Sequence, residues 1–200
     1  MELKGNLGKD LRRSYAQTSG SRLKRLIELY RSPGVHATIT FRFGQWLRDQ
    51  PLLVRVFLKP VFALQNHRMM AKWGIMIQPG AQVGGGLHIY HFGGIFIGEQ
   101  VKIGENFSLS HDVTIGLAGE GPRRGAPVIG DNVYVAPGAK LYGRIKVGDN
   151  VRVGANTIVD RNVPENALVQ VARPQVVLFP TLYGAKPPAT DAADTDNIPA

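Results

Sequence analysis

The sequence contains no cysteine, and its 200 residues include no long uncharged apolar run. Without thiols the chain has no disulfides, no thiolate metal ligands and no cysteine nucleophile. No apolar stretch reaches the roughly 18 residues that a membrane-spanning helix needs. The N-terminus lacks the features of a secretory signal, and no Gly-x-Ser-x-Gly nucleophile motif is present. We therefore expect a soluble, cytoplasmic protein of one or two domains whose chemistry uses neither a cysteine nor an elbow serine.

Acidic residues are scarce in the first 74 residues, which hold 14 Lys and Arg against 4 Asp and Glu, a net charge of +10. Residues 75–180 are nearly balanced at +1, so the basic character is confined to one end of the chain. Such a block favours an anionic partner for that end, such as a membrane surface or a polymer. A basic helical surface that only faces solvent is the alternative.

The basic segment also has helical periodicity. In "SRLKRLIELYR", the residues Leu23, Leu26, Ile27 and Tyr30 recur at spacings of three or four. Ser21 is the expected N-cap, and the following "SPG" is the expected stop.

A second helical segment begins near Pro51 and is expected to be interrupted or kinked at Pro60. We expect its apolar stripe to pack against the rest of the protein; the stripe is Leu52, Leu53, Val56, Phe57 and Val61. The alternative is a membrane interface, because cations lie beside the stripe. These cations are Arg55, Lys59, Arg68 and Lys72.

From residue 75 the period changes, and an aliphatic side chain returns every six residues. The series is Ile97, Ile103, Leu109, Ile115, Ile129, Val135, Leu141, Val147, Val153 and Val159. A second, mostly apolar series lies two positions earlier: Ile95, Val101, Phe107, Val113, Val133, Ala139, Ile145 and Val151. A repeat of six predicts one short strand and a turn, and three repeats close a triangular coil. We therefore predict a mainly β protein, a parallel β-helix preceded by a short α-helical region.

Two insertions interrupt the repeat. "YHFGG" adds two residues between Ile89 and Ile97, and "GLAGEGPRRGAP" adds eight between Ile115 and Ile129. Insertions in a solenoid are displaced outward as loops, where functional residues are commonly found.

The stretch "GGLHIYHFGGIFIGEQVKIGENFSLSHDVTIG", the loop after it and "PVIGDNVYVAPGAKLYGRIKVGDNVRVGANTIVDRNVP" resemble the serine acetyltransferase branch of the hexapeptide acyltransferases. The resemblance runs without a gap from about residue 75 to 177. It implies a left-handed parallel β-helix, a homotrimer, and acetyl-CoA bound in grooves between subunits. We divide the chain into a basic helical region, 1–74, an acetyltransferase domain, 75–177, and a tail, 178–200, with too few apolar residues to fold.

The resemblance assigns His91 as the general base that takes the proton from the acceptor hydroxyl. The family's Asp before this base is Tyr90 here, and its upstream orienting Asp is Met76. The loop sequence Asp-Arg-His-Pro, which in the family helps to hold serine, reads "RGAP" from Arg124 onward. A site without partners for a carboxylate should discriminate poorly for free serine. We therefore predict an acetyl-CoA-dependent O-acetyltransferase acting on a hydroxyl of a sugar or polysaccharide precursor, with serine O-acetylation as the alternative.

Acetyl transfer to an alcohol needs a base that exchanges a proton near neutral pH and donors for the developing oxyanion. His111 or Asp112, one coil further on, is expected to orient His91 in place of the missing carboxylates; a solvated turn is the alternative. Side chains expected to contact the acceptor are His88, Tyr90, Arg123 and Arg124, the two arginines suiting an acidic sugar or a phosphate.

The cofactor groove follows from the resemblance alone. Its lining residues are expected to be Gly116, Ala118, Ala136, Ala139 and Ala155, with Arg152 and Arg173 near the CoA phosphates. Backbone groups make most contacts in such grooves, so side chains reveal little of them. No metal is expected to be required.

Two other functions stay open. A zinc-dependent carbonic anhydrase of β-helix type needs three histidines converging across a subunit interface. His88, His91 and His111 supply that number, but the loop length favours acetyl transfer. A nucleic-acid binder or scaffold would use the basic segment, but no recognised nucleic-acid motif is present and we predict no such partner. The expected location is the cytoplasm, with the inner face of the membrane as the place where the basic region would act.

Overall fold

A computed structural model describes residues 2–172, except for the side chains of residues 2–4 and 123. Its α-helices are α1 (Glu2–Ala16), α2 (Arg22–Arg31), α3 (Pro33–Arg48) and α4 (Leu52–Trp73). Its strands are β1 (Ile75–Ile77), β2 (Gln82–Val83), β3 (His88–Ile89), β4 (Ile95–Ile97), β5 (Lys102–Ile103), β6 (Ser108–Leu109), β7 (Thr114–Gly116), β8 (Val128–Ile129), β9 (Tyr134–Val135), β10 (Lys140–Tyr142), β11 (Lys146–Val147), β12 (Arg152–Val153), β13 (Ile158–Val159) and β14 (Leu168–Val169). The predicted tail, 178–200, and Arg173 lie outside the described residues.

The strands form a parallel β-helix with three flat faces. One face has the order β1-β4-β7-β10-β13, the second has the order β2-β5-β8-β11, and the third has the order β3-β6-β9-β12-β14. Every pairing between these strands is parallel. Successive strands of one face are three strands apart in the chain, as expected when three six-residue repeats make one coil. The exception is β12 and β14, because the repeat between β13 and β14 makes only an isolated bridge, from Val163 to Val147. The predicted architecture is confirmed.

The core is the column of side chains that the six-residue period predicts. All ten positions of the main series and all eight of the second series are buried. Phe107 is the largest of these side chains and is fully enclosed. Full burial of an apolar side chain of this kind contributes about 1.5–3 kcal/mol relative to exposure. The column is therefore the main source of stability of the β-helix.

Asparagines stabilise one corner of the coils. Asn106, Asn132, Asn150 and Asn166 have φ angles between 55° and 58°, in the left-handed region that Asn tolerates better than most residues. The Nδ2 atom of each of the first three donates to the Oδ1 atom of the next, at 3.2, 3.2 and 2.9 Å. The two "GDN" turns predicted from the sequence belong to this ladder, which joins four successive coils.

Two serines set the boundaries between the helices. The Ser21 hydroxyl accepts a backbone hydrogen bond in the first turn of α2, which confirms the predicted N-cap. Ser32 ends α2 and also caps α3, with Pro33 in the first turn of α3. The "SPG" sequence is therefore both the predicted stop and the start of the next helix. Helix α3 then approaches β3 so closely that a Cβ atom on Gly34 would lie 2.6 Å from the carbonyl oxygen of Ile89.

A buried ion pair connects helices α1 and α3 to the first coils. Arg42 Nε lies 2.8 Å from Asp10 Oδ2, and both side chains are at most 2% exposed. Asp10 Oδ1 also accepts hydrogen bonds from the backbone N–H groups of Gly86 and Leu87, at 2.7 and 2.8 Å. The helical region therefore holds the segment that leads directly into β3.

Helix α4 differs from the prediction, because the stripe expected in the core is exposed. The exposed fractions are 72% for Leu52, 73% for Leu53, 58% for Val56, 75% for Phe57 and 45% for Val61. The face that is partly buried consists of Val54, Leu58, Phe62, Asn66, Met69 and Trp73. The apolar residues of α4 occur on every side of the helix, so the sequence pattern does not show which face packs. Pro60 lies inside the helix without ending it, and none of the described helices combines the length and apolarity needed to cross a bilayer.

Candidate active site

The turn after β3 carries His91 on the surface. Residues 90–92 are exposed, and the backbone then passes through Gly93 and Gly94 at φ angles of 106° and 66°. Glycine adopts these conformations without steric cost. Gly94 is also close to the next coil, because a Cβ atom there would lie 3.0 Å from the Cα atom of Asp112. The two-residue insertion therefore forms a bulge that presents His91 at one corner of the β-helix.

His111 occupies the corresponding corner of the next coil. Its ring centroid is 5.8 Å from that of His91, and the ring planes meet at 74°. This is an edge-to-face arrangement of two exposed rings. The backbone N–H of Asp112 donates to the carbonyl oxygen of Gly93 at 2.7 Å, which joins the two corners. The structure thus brings the predicted base next to one of its two predicted orienting residues.

The side chain of Asp112 is held by a different partner. Lys140 Nζ donates to Asp112 Oδ1 at 2.8 Å and to the Asp112 carbonyl oxygen at 2.6 Å. The hydrogen bond from Lys140, together with its charge, lowers the pKa of Asp112 below the ordinary value. Asp112 therefore contacts the His91 turn through its backbone, while its carboxylate is neutralised by the lysine.

His88 lies on the strand before the turn and is half-buried beneath α1. Ser14 Oγ and His88 Nδ1 are 3.3 Å apart. Arg13, the neighbouring residue of α1, donates to Ser108 Oγ at 2.7 Å. Burial of the ring, with the positive charge of Arg13 nearby, lowers the pKa of His88 to about 4. His88 is therefore neutral at neutral pH, and the helical region fixes its position.

Aromatic side chains continue from His88 across the third face. The Tyr90 ring packs edge-on against His88, at 4.5 Å between centroids, and against Tyr134, at 6.0 Å. The guanidinium carbon of Arg152 lies 5.8 Å from the Tyr134 centroid, within the range of a cation–π contact. Strand pairing places His88, Ser108, Tyr134 and Arg152 in one register row. Sequence reasoning missed Tyr134, although it too immediately precedes a core position of the six-residue period.

The predicted cofactor residues lie on different parts of the β-helix. Gly116 ends β7 and Arg152 begins β12, on two different faces. Ala155 is exposed, whereas Ala136 is buried at the edge of the core. Ala139 is fully buried, so its methyl group packs in the core and is closed to a ligand. Their cofactor role stays a prediction, for Ala139 through its backbone only.

The eight-residue insertion forms a closed surface loop. Reciprocal backbone hydrogen bonds of 3.0 and 3.1 Å between Ala118 and Gly125 close its base. A turn of 3-10 helix, Gly121–Arg123, follows within it. Arg124 is exposed, while the side chain of Arg123 is outside the described part of the structure. Arg124 is therefore available to an anionic ligand that enters the loop.

Among residues 2–172, no three His, Asp or Glu side chains converge closely enough to hold a metal ion. His88 faces Ser14, whereas His91 and His111 face each other. The three histidines therefore do not form one ligand set within a chain, and the zinc alternative gains no support.

Comparisons with known proteins agree with this architecture. The profile of the family described as "Bacterial transferase hexapeptide (six repeats)" matches residues 126–161. The serine acetyltransferase of Mycobacterium tuberculosis is 37% identical over 147 residues, which are 72% of this chain and 61% of that protein. The serine acetyltransferase of Helicobacter pylori strain J99 is 35% identical over 145 residues, which are 72% of this chain and 81% of that protein. The chain thus spans only about three fifths of the Mycobacterium tuberculosis protein.

Solved structures show the same similarity. A serine acetyltransferase of Neisseria gonorrhoeae in complex with serine superposes with a TM-score of 0.69 at 29% identity, over 86% of this chain and 67% of that one. The Brucella abortus serine acetyltransferase in complex with coenzyme A superposes with a TM-score of 0.70 at 28% identity, over 86% and 66% of the two chains.

The coils, their two insertions and these matches define a hexapeptide-repeat acyltransferase with a left-handed β-helix. Within that class, the chain belongs to the serine acetyltransferase family. The prediction of a sugar or polysaccharide acceptor is wrong, because the relatives are serine acetyltransferases and one was solved with serine bound. That prediction rested on three differences from the family's sequence pattern, at Met76, Tyr90 and the "RGAP" loop. The similarity to serine acetyltransferases over 145 residues or more outweighs these differences.

Proposed function

We propose that the chain transfers the acetyl group of acetyl-CoA to the hydroxyl of L-serine, with His91 as the general base. Membership of the serine acetyltransferase family carries this proposal. The exposed His91 turn supports it, because the glycines beside the ring leave room for an acceptor.

The reaction requires one proton to move and one bond to be exchanged. The neutral imidazole of His91 takes the proton of the serine hydroxyl as the oxygen attacks the thioester carbonyl carbon. The carbon–sulfur bond then breaks, and the CoA sulfur leaves as a thiol after receiving the proton back from His91. The chain has no cysteine to form a thioester intermediate, which favours direct transfer.

His111 and Asp112 act as positioning residues in this proposal. An edge-to-face contact of 5.8 Å limits the orientations that the His91 ring can adopt. The hydrogen bond from Asp112 N–H to Gly93 fixes the backbone of the same turn. Together these contacts replace the carboxylates that the family places at positions 76 and 90, which hold Met76 and Tyr90 here.

The carboxylate of serine needs a cationic partner, and we assign Arg124 to this role. Arg124 is exposed on the closed loop, where the family has residues that help to hold serine. A guanidinium can bind a carboxylate through two parallel hydrogen bonds, which fixes the substrate's orientation as well as its position. His88 and Tyr90 lie on the strand side of the His91 turn and complete the proposed acceptor site.

Acetyl-CoA is proposed to bind between subunits of a homotrimer. Apolar side chains on the outside of a single face support a subunit interface: Phe96, Tyr142 and Ile158 are 36%, 37% and 60% exposed. They lie on β4, β10 and β13, which belong to the face that also contains Gly116. A mass in solution equal to that of one chain would contradict the trimer.

The test is release of the CoA thiol by the purified full chain with acetyl-CoA and L-serine. A general base contributes about 10²–10⁴-fold to the rate, so His91→Ala should lower kcat by that factor without weakening acetyl-CoA binding. The matched control is His67→Ala, because His67 is an exposed histidine on α4. Retention of kcat within about tenfold in His91→Ala would remove His91 from the role of base.

A further inference from the structure

Helix α4 presents an apolar ridge to solvent. Leu53, Val56, Phe57 and Leu64 are 73%, 58%, 75% and 60% exposed. At 3.6 residues per turn, these four positions and Pro60 fall within about 100° of arc. The opposite side of the helix is the partly buried one that packs toward α3. We call these four apolar side chains the outer ridge.

Cations flank the outer ridge on both sides. In the same helical projection, Lys59 lies along one flank, and Arg68 and Lys72 lie along the other, whereas Arg55 falls among the positions of the side that packs toward α3. The 22 residues of α4 include no Asp or Glu. An apolar strip with long basic side chains on both sides is typical of a helix that lies in the plane of a membrane surface.

Helix α2 repeats the arrangement. Its stripe of Leu23, Leu26, Ile27 and Tyr30 is 69%, 56%, 46% and 76% exposed. The helix carries four Lys and Arg residues and a single acidic residue, Glu28. Exposed apolar surface of this kind on two helices of the same region indicates a binding surface.

A basic cleft lies between the two helices. It has a volume of about 660 Å³ and is lined by Tyr30 and Arg31 of α2 and by Arg68, Lys72 and Trp73 of α4, with no acidic residue among its lining side chains. Lys72 Nζ lies 4.9 Å from the centroid of the Trp73 ring. Cations and amphipathic aromatic rings at one site suit the phosphates of lipid headgroups.

We propose that the outer ridge and the α2 stripe dock onto a lipid surface rich in anionic headgroups. The partner is identified by charge, because residues 1–74 carry a net charge of +10. A second copy of the chain fits less well, since packing two ridges together would bring the three flanking cations of each α4 near three of the other with no acidic residue on either helix. The proposal is independent of the acceptor in the acetyl transfer.

The experiment is flotation of the full chain with vesicles of phosphatidylcholine, alone or mixed with phosphatidylglycerol. We expect binding only to the mixed vesicles and release at high salt. Each cation near an anionic leaflet contributes roughly a fivefold attraction. Replacing the three flanking cations, Lys59, Arg68 and Lys72, by Gln should therefore weaken partitioning by at least about tenfold. The matched control replaces three exposed cations of the β-helix by Gln: Lys102, Lys146 and Arg161.

A second variant, Leu53→Gln with Phe57→Gln and Leu64→Gln, tests the ridge at unchanged charge. It should also weaken partitioning by about tenfold or more, because the lost contacts are apolar. Failure of the wild type to float with the mixed vesicles would overturn the proposal. An equal loss of flotation in the β-helix control would also overturn it. So would a triple variant that changes the mass in solution but not flotation, since a second copy of the chain would then cover the ridge.

Discussion

The ion pair between Asp10 and Arg42 is expected to be a principal attachment of the helical region to the β-helix. Replacement of Asp10 by Asn keeps an oxygen that can accept the backbone N–H groups of Gly86 and Leu87. It removes the negative charge that faces Arg42, whose side chain is 2% exposed. Arg42 would keep its hydrogen bonds to the carbonyl oxygens of Val83 and Gly84 at 2.7 and 2.6 Å, but its charge would be buried without a counterion.

Removal of one partner from a buried pair costs about 3–5 kcal/mol. We expect a loss of that size in the free energy of unfolding for Asp10→Asn. In an Arg42→Met background the buried charge is absent, so the same substitution should cost about 2 kcal/mol less. The exposed pair between Lys9 and Glu105 provides a control, because its side chains are about half exposed. Lys9→Ala should cost less than about 1 kcal/mol.

Urea-induced unfolding, followed by circular dichroism at one protein concentration, measures the free energy of unfolding of the wild type, Asp10→Asn, Arg42→Met, the double variant and Lys9→Ala. A cost below about 1 kcal/mol for Asp10→Asn would refute the reasoning. An unchanged cost in the Arg42→Met background would refute it as well, since the penalty would then not arise from the buried guanidinium.

Other predictions concern the site and the coils. The pKa of His88 is about 4 when folded, so the unfolded chain binds more protons between about pH 4 and 6.5. The free energy of unfolding should therefore rise with pH over this window. The rise should be roughly 1–2 kcal/mol larger than in His88→Gln, after allowance for the partial exposure of the ring. Urea titrations that give the two proteins the same dependence of the free energy of unfolding on pH would contradict this. Asn132→Ala should lower the free energy of unfolding by about 1–2 kcal/mol, because Ala is strained in the left-handed conformation and the hydrogen bonds of the ladder are lost. Asn132→Gly loses only the hydrogen bonds, so thermal unfolding should show a smaller destabilisation. Arg124→Gln should raise the KM for L-serine about tenfold or more with little change in kcat; an unchanged KM in thiol-release assays would assign the carboxylate to another residue.

The β-helix is predictable because its information is local and repeated. A six-residue period places the same two inward positions in every coil, so one repeat predicts the next, as for Ile97, Ile103 and Leu109. The insertions are recognisable as departures from that period. The asparagine ladder follows less directly, since only the two "GDN" turns mark it, and the contribution of Asn106 and Asn166 depends on the register of the coils.

The helical region and the acceptor are less predictable because they depend on tertiary contacts. The sequence of α4 has apolar residues on every side, and only its packing on α3 shows that Leu53 and Phe57 are exposed. The sequence pattern does not delimit α1 as a separate helix, although Asp10 of this helix makes the buried ion pair. The acceptor was predicted incorrectly because the absence of known serine ligands, such as those replaced by Met76 and Tyr90, does not exclude other residues from binding serine.

The measurement that tests the central claim most directly is identification, by mass spectrometry, of the product that the full chain forms from acetyl-CoA and L-serine. We expect O-acetyl-L-serine in amounts equal to the CoA thiol released, formed about 10²–10⁴-fold more slowly by His91→Ala. Release of the thiol without O-acetyl-L-serine, or no consumption of acetyl-CoA although it binds, would contradict the proposed function.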